Sequence, residues 1–470
     1  MRLLKPVLCA VLLWPGFGHA NELMRVFELA VQNDATFQAS TFARDAAREA
    51  KAISRGALLP QISGTANIAE DRFTLHDYDV DPVDPDGAAG PLLDPGGPPE
   101  ACAAQGGDFS GSDCTVNSQP YNLTVQLNQV LFDWGLWSRL AQSSDLVAAA
   151  EITYRAEQQN LALRTATAYF NFLAAADAVR TANAAKQAVE RQLDLAKKRF
   201  EVGLAAITDQ QEAQARYDLS AADLITAEQS LASAREALGV ITGSTEVRQA
   251  PLREDIPLVG PVPDNVGDWL RATEEGSFEV AGSRLQAEIA EGEVDIVRTR
   301  HYPTLGVNAT GTEAKSSGFN QGKFGDNRVT LQLNVPIFSG FSTQAAVRQA
   351  RSTHSQRVAE LERARRTAQQ NTRNAYQGVI AGVARVKALK QAVVSNQTAL
   401  QASEVGLEVG ARTNIDVLNA QQLLFLAERD YSRARYDYLL SILRLKAGAG
   451  QLGAKDLAEI DQLLEIPAGG

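Results

Sequence analysis

Histidine and aromatic side chains are scarce in this chain, and no catalytic motif accompanies them. The 470 residues include four histidines and 6% aromatic residues. After the N-terminal segment, His76, His301 and His354 lie on unrelated segments, and neither a Gly-x-Ser-x-Gly elbow nor a phosphate-binding loop is present. The acidic stretch Asp77–Asp86 lacks the glycine and the terminal glutamate of an EF-hand loop. We therefore predict no enzyme, no metal site and no cofactor.

Positive charge and long apolar runs are also missing. The formal net charge is −11, and no block of lysine or arginine provides the basic footprint that nucleic-acid binding needs. After the N-terminal segment, no stretch is apolar for long enough to form a transmembrane helix. An exported protein without such a helix is either soluble in the envelope or inserts as a β-barrel.

The N-terminal segment has the pattern of a secretory signal. Arg2 and Lys5 precede an apolar run from Val7 to Leu13, and Gly18-His19-Ala20 is a small-residue cleavage site. Residues 1–20 are therefore predicted to be a signal peptide that is removed after export.

Two cysteines remain after the signal peptide, Cys102 and Cys114. A nearby pair in an exported chain predicts a disulfide. The loop that it would close has about a dozen residues, and the bond would contribute about 3 kcal/mol in the chain-entropy model.

The chain contains one internal repeat. Glu201-Val202-Gly203 aligns with Glu408-Val409-Gly410, and Asp209 aligns with Asp416, at a constant offset of 207 residues. Positions spaced by seven residues follow in register in both copies, as in a coiled coil. The two halves are therefore predicted to share one design.

The repeat also predicts the domain boundaries. They are a first repeat at 21–242, an inter-repeat linker at 243–265, a second repeat at 266–450 and a C-terminal tail at 451–470. Each repeat is predicted to hold a helix, two strands and a helical hairpin, with hairpin tips near 202–208 and 409–415. The first repeat carries an insertion that is rich in Asp, Pro and Gly, and it is predicted to be a long loop at 73–120.

The period of the apolar residues changes to two at Tyr121–Phe132 and again at Val329–Val335. This alternation is typical of membrane-barrel strands and equally of a half-buried soluble hairpin. With weaker partners upstream, the chain supplies four strands, the second pair within 303–338. Single-chain barrels need about eight strands, so closure requires several copies. Two chains give eight strands and three give twelve, and only the wider barrel leaves a lumen.

Two segments nearly free of Gly and Pro, Ser138–Glu201 and Ser342–Val409, predict helices on the order of 95–100 Å long. Shorter helices are predicted at Glu22–Leu58, Ile207–Leu238, Val266–Arg300 and Ile415–Ala447. Two short helices stacked end to end would match one long helix, so the linker is expected at the equatorial level of a helical wall. On the helices alone, a periplasmic coiled-coil structural or adaptor protein without a pore is an open alternative.

At the two hairpin tips, Arg199–Asp209 and Val409–Asn419, the sequence resembles the TolC family of outer-membrane channels. The prolines Pro60, Pro303 and Pro336 fit the same family at the junction between its β-barrel and its helical tunnel. The resemblance covers nearly the whole chain after the signal peptide.

The resemblance implies a mixed α/β membrane protein. Its fold would be a homotrimer with a twelve-stranded β-barrel, four strands per chain, in the outer membrane of a Gram-negative bacterium, on a coiled-coil tunnel in the periplasm. Such channels contact outer-membrane lipid and join a periplasmic adaptor protein and an inner-membrane ABC or RND pump. The implied function is an exit duct for type I protein secretion or for multidrug efflux, and both are open.

The resemblance also assigns roles to single residues. Asp416 matches an aspartate of the constriction at the periplasmic iris, and Asn419 stands where the family has a second aspartate. Three carboxylates from these positions, instead of six, are therefore expected in a trimer, with weaker cation selectivity. Arg412 matches the gate arginine and is expected to bond Thr208 and Asp209.

Two further assignments concern the tips of the hairpins. Leu407 stands where the family has a tyrosine of the gate network, so the closed gate is expected to be held more loosely. The exposed turns are expected to contact the adaptor through Gly203, Leu204, Gly410 and Ala411.

Overall fold

A computed structural model describes residues 22–75, 107–110, 113–316 and 322–465. The predicted signal peptide and Cys102 lie outside the described residues, so both the cleavage and the disulfide stay predictions. The chain divides into two compact units. The helical unit falls within Met1–Ala47, Ala148–Ala287 and Arg357–Gly470, and the strand unit falls within Arg48–Val147 and Glu288–Gln356.

The described residues form nine α-helices, one short 3₁₀ helix and seven strands. The helices are α1 (Glu22–Asn33), α2 (Ala35–Gly56), α3 (Trp134–Glu201), α4 (Ile207–Thr242), α5 (Val266–Gly276), α6 (Phe278–Arg298), α7 (Ser342–Glu408), α8 (Asn414–Gly448) and α9 (Ala454–Asp461), with the 3₁₀ turn at Thr299–His301. The strands are β1 (Gln61–Ile68), β2 (Asp71–Leu75), β3 (Gly107–Ser110), β4 (Asp113–Ser118), β5 (Tyr121–Phe132), β6 (Thr304–Ser316) and β7 (Gly322–Asn334).

The two long helices were predicted almost to their ends. Helices α3 and α7 have 68 and 67 residues, which corresponds to about 100 Å each. Helix α3 begins four residues before the predicted Ser138. Its first turn is capped by Asp133, which accepts hydrogen bonds from the N–H groups of Gly135 (2.8 Å) and Leu136 (3.2 Å). Among the described residues, no helix combines the length and the apolar character needed to cross a membrane.

Two of the shorter predicted helices are each broken into two. The predicted helix Glu22–Leu58 is interrupted at Asp34, whose carboxylate accepts the Phe37 N–H at 2.7 Å and so starts a new helix. The predicted helix Val266–Arg300 is interrupted at Ser277, which has an extended backbone conformation. Helical periodicity continues across both breaks, which is why the sequence pattern did not separate the pieces.

Aromatic side chains form the centre of the helical unit. Tyr169, Phe170 and Phe172 of α3 are fully buried, and the ring of Phe170 lies 5.8 Å from that of Tyr436 on α8. The Tyr436 hydroxyl donates a hydrogen bond to Asp177 at 3.0 Å. Burial, together with Asp177, raises the pKa of Tyr436, so this hydroxyl stays a donor that joins α3 to α8.

The predicted linker and the predicted tail pack on this core. The Tyr438 hydroxyl donates to the carbonyl of Val259 at 2.8 Å and accepts its N–H at 2.9 Å. Leu252 in the linker and Leu464 in the tail form an antiparallel β-bridge. The described part of the predicted tail, residues 451–465, contains α9 and belongs to the helical unit.

A buried carboxyl joins this C-terminal segment to the start of α1. Asp461 is 1% exposed, and its Oδ1 accepts the N–H of Leu23 at 2.9 Å. Helix N-termini favour negative charge. Burial nevertheless dominates, with a smaller contribution from Glu22, and raises the pKa of Asp461 to about 6.

This carboxyl predicts a specific pH dependence of stability. A carboxyl whose pKa is higher in the folded state than in the unfolded state costs stability once it ionises. This cost is absent below about pH 4 and complete above about pH 6, where it reaches about 3 kcal/mol. Asp461→Asn cannot ionise and keeps an oxygen for the Leu23 N–H. We expect the difference in melting temperature, variant minus native protein, to increase as the pH rises from 4 to 7. A difference that does not change with pH would contradict the raised pKa of Asp461.

The strand unit contains a four-stranded antiparallel sheet in the order β1-β5-β6-β7. Strand β5 has the predicted bounds, whereas β6 and β7 end at Ser316 and Asn334, within the predicted 303–338. The register aligns apolar residues on one face, as in the row Ile62, Leu127, Ala309 and Val329. The adjacent row on the opposite face is Ser63, Gln126, Thr310 and Arg328. The predicted alternation therefore sorts the sheet into an apolar and a polar face.

The prediction of one long loop at 73–120 is corrected by the described part of that stretch. Strand β2 continues to Leu75, and β3 and β4 form a three-stranded antiparallel sheet with it in the order β2-β4-β3. The Pro- and Gly-rich composition of the insertion concealed these short strands, because the alternating residues Asp113–Ser118 lie among turn-forming residues.

Candidate functional site

The two hairpin tips of the helical unit share one backbone geometry. Gly203 and Gly410 have φ values of 76° and 75°. After α3, the N–H groups of Gly203 and Leu204 bond the carbonyls of Phe200 (2.9 Å) and Arg199 (2.8 Å). The corresponding N–H groups after α7 bond the carbonyls of Leu407 (3.3 Å) and Gly406 (2.8 Å). Both helices therefore end in a Schellman motif, which requires a left-handed residue and favours glycine.

The tips present apolar side chains to solvent. Leu204 is 79% exposed, and Val202 and Val409 are similarly exposed. Gly203, Gly410 and Ala411 are exposed as well. All four residues predicted to contact a partner are thus accessible on the single chain.

Asp416 caps the start of α8 and also places a negative charge there. Its carboxylate accepts the N–H and the hydroxyl of Thr413, both at 2.9 Å, while the Thr413 hydroxyl accepts the N–H of Asp416 at 3.3 Å. This reciprocal capping box fixes the first turn of the helix. The Thr413 N–H, then the Thr413 hydroxyl and the Arg412 charge hold the pKa of Asp416 below its ordinary value. The side chain is 37% exposed, so its negative charge faces water.

Arg412 lies nearest to a carboxylate of its own hairpin. Its Nη1 is 4.0 Å from Oδ1 of Asp416. No hydrogen bond joins it to Thr208 or Asp209 within the described part of the single chain. Arg412 and Asp209 do border the same open cleft between the two tips, whose volume is about 420 Å³. The single chain therefore brings these two charges to one cleft without the predicted bond, and the gate network stays a prediction.

The position of Arg412 depends on a glycine that the sequence did not indicate. A Cβ atom on Gly406 would lie 2.5 Å from Cγ of Arg412 and 3.1 Å from its Cβ. Gly406 thus allows the arginine stem to lie across α7. Leu407, the next residue, packs with the buried Leu400 and Val417. An apolar side chain therefore stands at the position where the family resemblance expects a tyrosine.

A family model described as outer membrane efflux protein matches residues 26–244 and 269–451. The chain belongs to this family. Membership assigns it to the outer membrane, as an efflux or secretion channel component and not an enzyme.

Single relatives are similar to this chain over almost its full length. The outer membrane protein TolC of Escherichia coli (strain K12) is 31% identical over 482 residues, which covers 99% of this chain and 90% of that protein. The alkaline protease secretion protein AprF of Pseudomonas aeruginosa is 30% identical over 440 residues, covering 93% and 85%. The open state of the MtrE outer membrane channel of Neisseria gonorrhoeae has the same fold, with a TM-score of 0.68 at 17% identity over 91% of this chain and 89% of that one.

The three prolines that fit the family flank the four-stranded sheet. Pro60 and Pro303 directly precede β1 and β6, and Pro336 follows β7 by two residues. Proline lacks the N–H that a sheet ladder uses, so it is tolerated at strand ends and not inside them. The expected junctions therefore coincide with the limits of the sheet.

Two contacts between the hairpins were missed by the sequence and by the family resemblance. Gln192 of α3 donates a hydrogen bond to Asn414, the first residue of α8. Arg216 of α4 donates to Asn419 at 2.8 Å and to Gln422 at 2.6 Å. More than 200 residues separate the partners along the chain, and polar residues on a helical surface carry no signal of which distant residue they meet. These contacts join the first repeat to the second repeat near the predicted constriction.

Proposed function

We propose that this chain forms a homotrimeric exit duct, with twelve strands closed into an outer-membrane barrel above a periplasmic helical tunnel. The duct would complete a tripartite export system for type I protein secretion or multidrug efflux. It would be gated at the periplasmic end by an iris of helical hairpins.

The observation that carries this proposal is the incomplete sheet. In the order β1-β5-β6-β7, the outer edges of β1 and β7 have no partner strand among the described residues. A sheet in lipid cannot leave its edges open, because no water is present to bond their N–H and carbonyl groups, whereas an exposed apolar face is suited to lipid. Ile62, Val329 and Leu331 on the apolar face are 70%, 77% and 66% exposed. Joining β7 of one copy to β1 of the next closes the edges, and three copies give twelve strands with room for a lumen.

Aromatic residues at the ends of the sheet support contact with outer-membrane lipid. Trp134 and Trp137 follow β5, while Phe338 and Phe341 follow β7, and all four are exposed. The rings of Phe338 and Phe341 meet edge to face at 5.3 Å. Girdles of aromatic residues at the lipid headgroups are typical of membrane barrels.

The tips support the gating and docking parts of the proposal. Asp416 would supply three carboxylates to the constriction of the trimer, since Asn419 is neutral. Arg412, which lies beside Asp416 of its own hairpin, would hold the closed state by pairing with Asp209 of the other hairpin when the cleft closes. The exposed apolar residues Leu204 and Val409 suit a periplasmic adaptor, which would connect the duct to an inner-membrane ABC or RND pump.

The first test compares native and Arg412→Ser protein in planar bilayers. The native protein is expected to give discrete cation-preferring steps from a trimer. Arg412→Ser should increase conductance or open probability, because each chain loses a charge that holds the tip, and three weak bonds of about 0–1 kcal/mol each act together. Gly406→Ala should act in the same direction by displacing the Arg412 stem.

Two matched controls isolate the gate. Arg429 pairs with the adjacent Asp430 at 2.9 Å, so Arg429→Ser removes a charge of α8 away from the tip. Gly378→Ala lies on the same helix as Gly406, and its nearest neighbour atom is 3.6 Å away. If the two control variants open the channel as much as Arg412→Ser and Gly406→Ala do, the assignment of Arg412 to a gate is wrong. Folded native protein without conductance would instead favour the periplasmic coiled-coil alternative.

A further inference from the structure

Arg216 reaches from one hairpin to the other beside the predicted constriction. It belongs to α4, and its guanidinium forms two hydrogen bonds to α8, from Nη2 to Oδ1 of Asn419 and from Nη1 to Oε1 of Gln422. The acceptors are three residues apart and therefore lie on one face of the helix. A planar guanidinium fork that uses two donors at once has a fixed position.

The charge of Arg216 is not neutralised by these partners. Both acceptors are the oxygens of neutral amides, so the guanidinium keeps its full positive charge where it contacts α8. A carboxylate in place of either amide would have cancelled it. The contact therefore adds a cation to this part of the helix surface.

This cation lies close to the one negative charge of the predicted constriction. Asn419 follows Asp416 by three residues of α8, a rise of about 4.5 Å. The guanidinium of Arg216 and the carboxylate of Asp416 are therefore separated by about one helical turn and one hydrogen bond, and charges so placed act on the same region, since the Debye length is about 8 Å at physiological ionic strength. An ion passing Asp416 would therefore experience both charges.

We propose that Arg216 is a selectivity-determining residue of the channel mouth, which it makes bipolar. The proposal rests on the proposed trimeric duct. Three carboxylates of Asp416 and three guanidinium groups of Arg216 would face the same aperture. The mouth then admits anionic as well as cationic cargo, whereas a ring of carboxylates alone would repel anions.

The test measures reversal potentials of single channels in a potassium chloride gradient. Arg216→Gln removes the charge and keeps an amide that can bond Asn419 and Gln422. A unit charge about 10 Å from the ion path raises the energy of a cation and lowers that of an anion, and at the dielectric constant of water the two effects together alter the permeability ratio by about fourfold. The potassium-to-chloride permeability ratio should therefore rise by about fourfold in Arg216→Gln. Arg216→Lys keeps the charge without the fork and should keep the native ratio.

Arg235→Gln is the matched control, because Arg235 lies 19 residues further along α4, about 28 Å from Arg216. This control should leave the permeability ratio unchanged. Equal ratios in native and Arg216→Gln channels would overturn the proposal alone. So would a change in open probability without a change in ratio, because Arg216 would then only hold the hairpins together. Absence of any conductance from the native protein would overturn the proposed duct and, with it, this role.

Discussion

Channels that carry Asp416→Asn are expected to lose most of their preference for cations. Asparagine keeps an oxygen that can accept the N–H of Thr413, so the start of α8 is preserved while the charge is removed. The proposed mouth would then contain the guanidinium of Arg216 without an opposing carboxylate. We expect the potassium-to-chloride permeability ratio to fall to about one or below, measured as a reversal potential.

Asp416→Glu is the control that separates charge from helix capping. Glutamate is the usual acidic partner in a capping box, so this variant keeps both properties. It should retain cation preference, whereas Asp416→Ala would remove the charge and a cap worth about 1 kcal/mol together. Because Thr413 lowers the pKa of Asp416, the native preference should persist to a pH below the ordinary range of an aspartate. A selective Asp416→Asn channel would remove this residue from the constriction.

Arginine at position 329 is expected to prevent assembly in the outer membrane, whereas arginine at position 330 is not. Val329 lies on the apolar face opposite Ala309, and its neighbour Thr330 lies on the polar face opposite Asn308. A lipid-facing arginine near the bilayer midplane costs about 2–4 kcal/mol per chain. Three copies would add this cost in the proposed trimer, and the assembled species should disappear.

The measurement is the amount of heat-resistant trimer in outer-membrane fractions for Val329→Arg and Thr330→Arg. The two variants introduce the same side chain at adjacent positions and have the same net charge, so a difference in assembly between them reports on the face of the sheet. Thr330→Arg should assemble and alter conductance, because its side chain would face the proposed lumen. Equal assembly of both variants would mean that the apolar face of the sheet does not contact lipid and the polar face does not contact water.

Patterns that depend on neighbours in the sequence were predictable. Strand β5 has its predicted bounds because side chains alternate between faces with a period of two, and a shift of one residue would reverse the faces. The two tips were predictable because the left-handed turns at Gly203 and Gly410 favour glycine. The family membership confirms the resemblance that these motifs indicated.

Features that depend on distant residues were not predictable. Asp461 is buried because α9 folds back on α1, and nothing near it in the sequence indicates this environment. Arg216 and Asn419 are 203 residues apart and belong to different repeats, so the repeat alignment does not pair them. Within the candidate site, the family motif predicted the roles of single residues, but it did not predict the contacts that the structure shows between them.

The double duty of Asp416 has a consequence for how such a channel can diversify. A replacement at this position must both begin a helix and carry the intended charge, and few side chains satisfy both requirements. Asn419 lies past the capped turn and Arg216 belongs to α4, so neither has a role in starting α8. Exchanges there can change the electrical character of the aperture without weakening the helix. We therefore expect adaptation to new cargo to accumulate at these two positions, while Asp416 varies little.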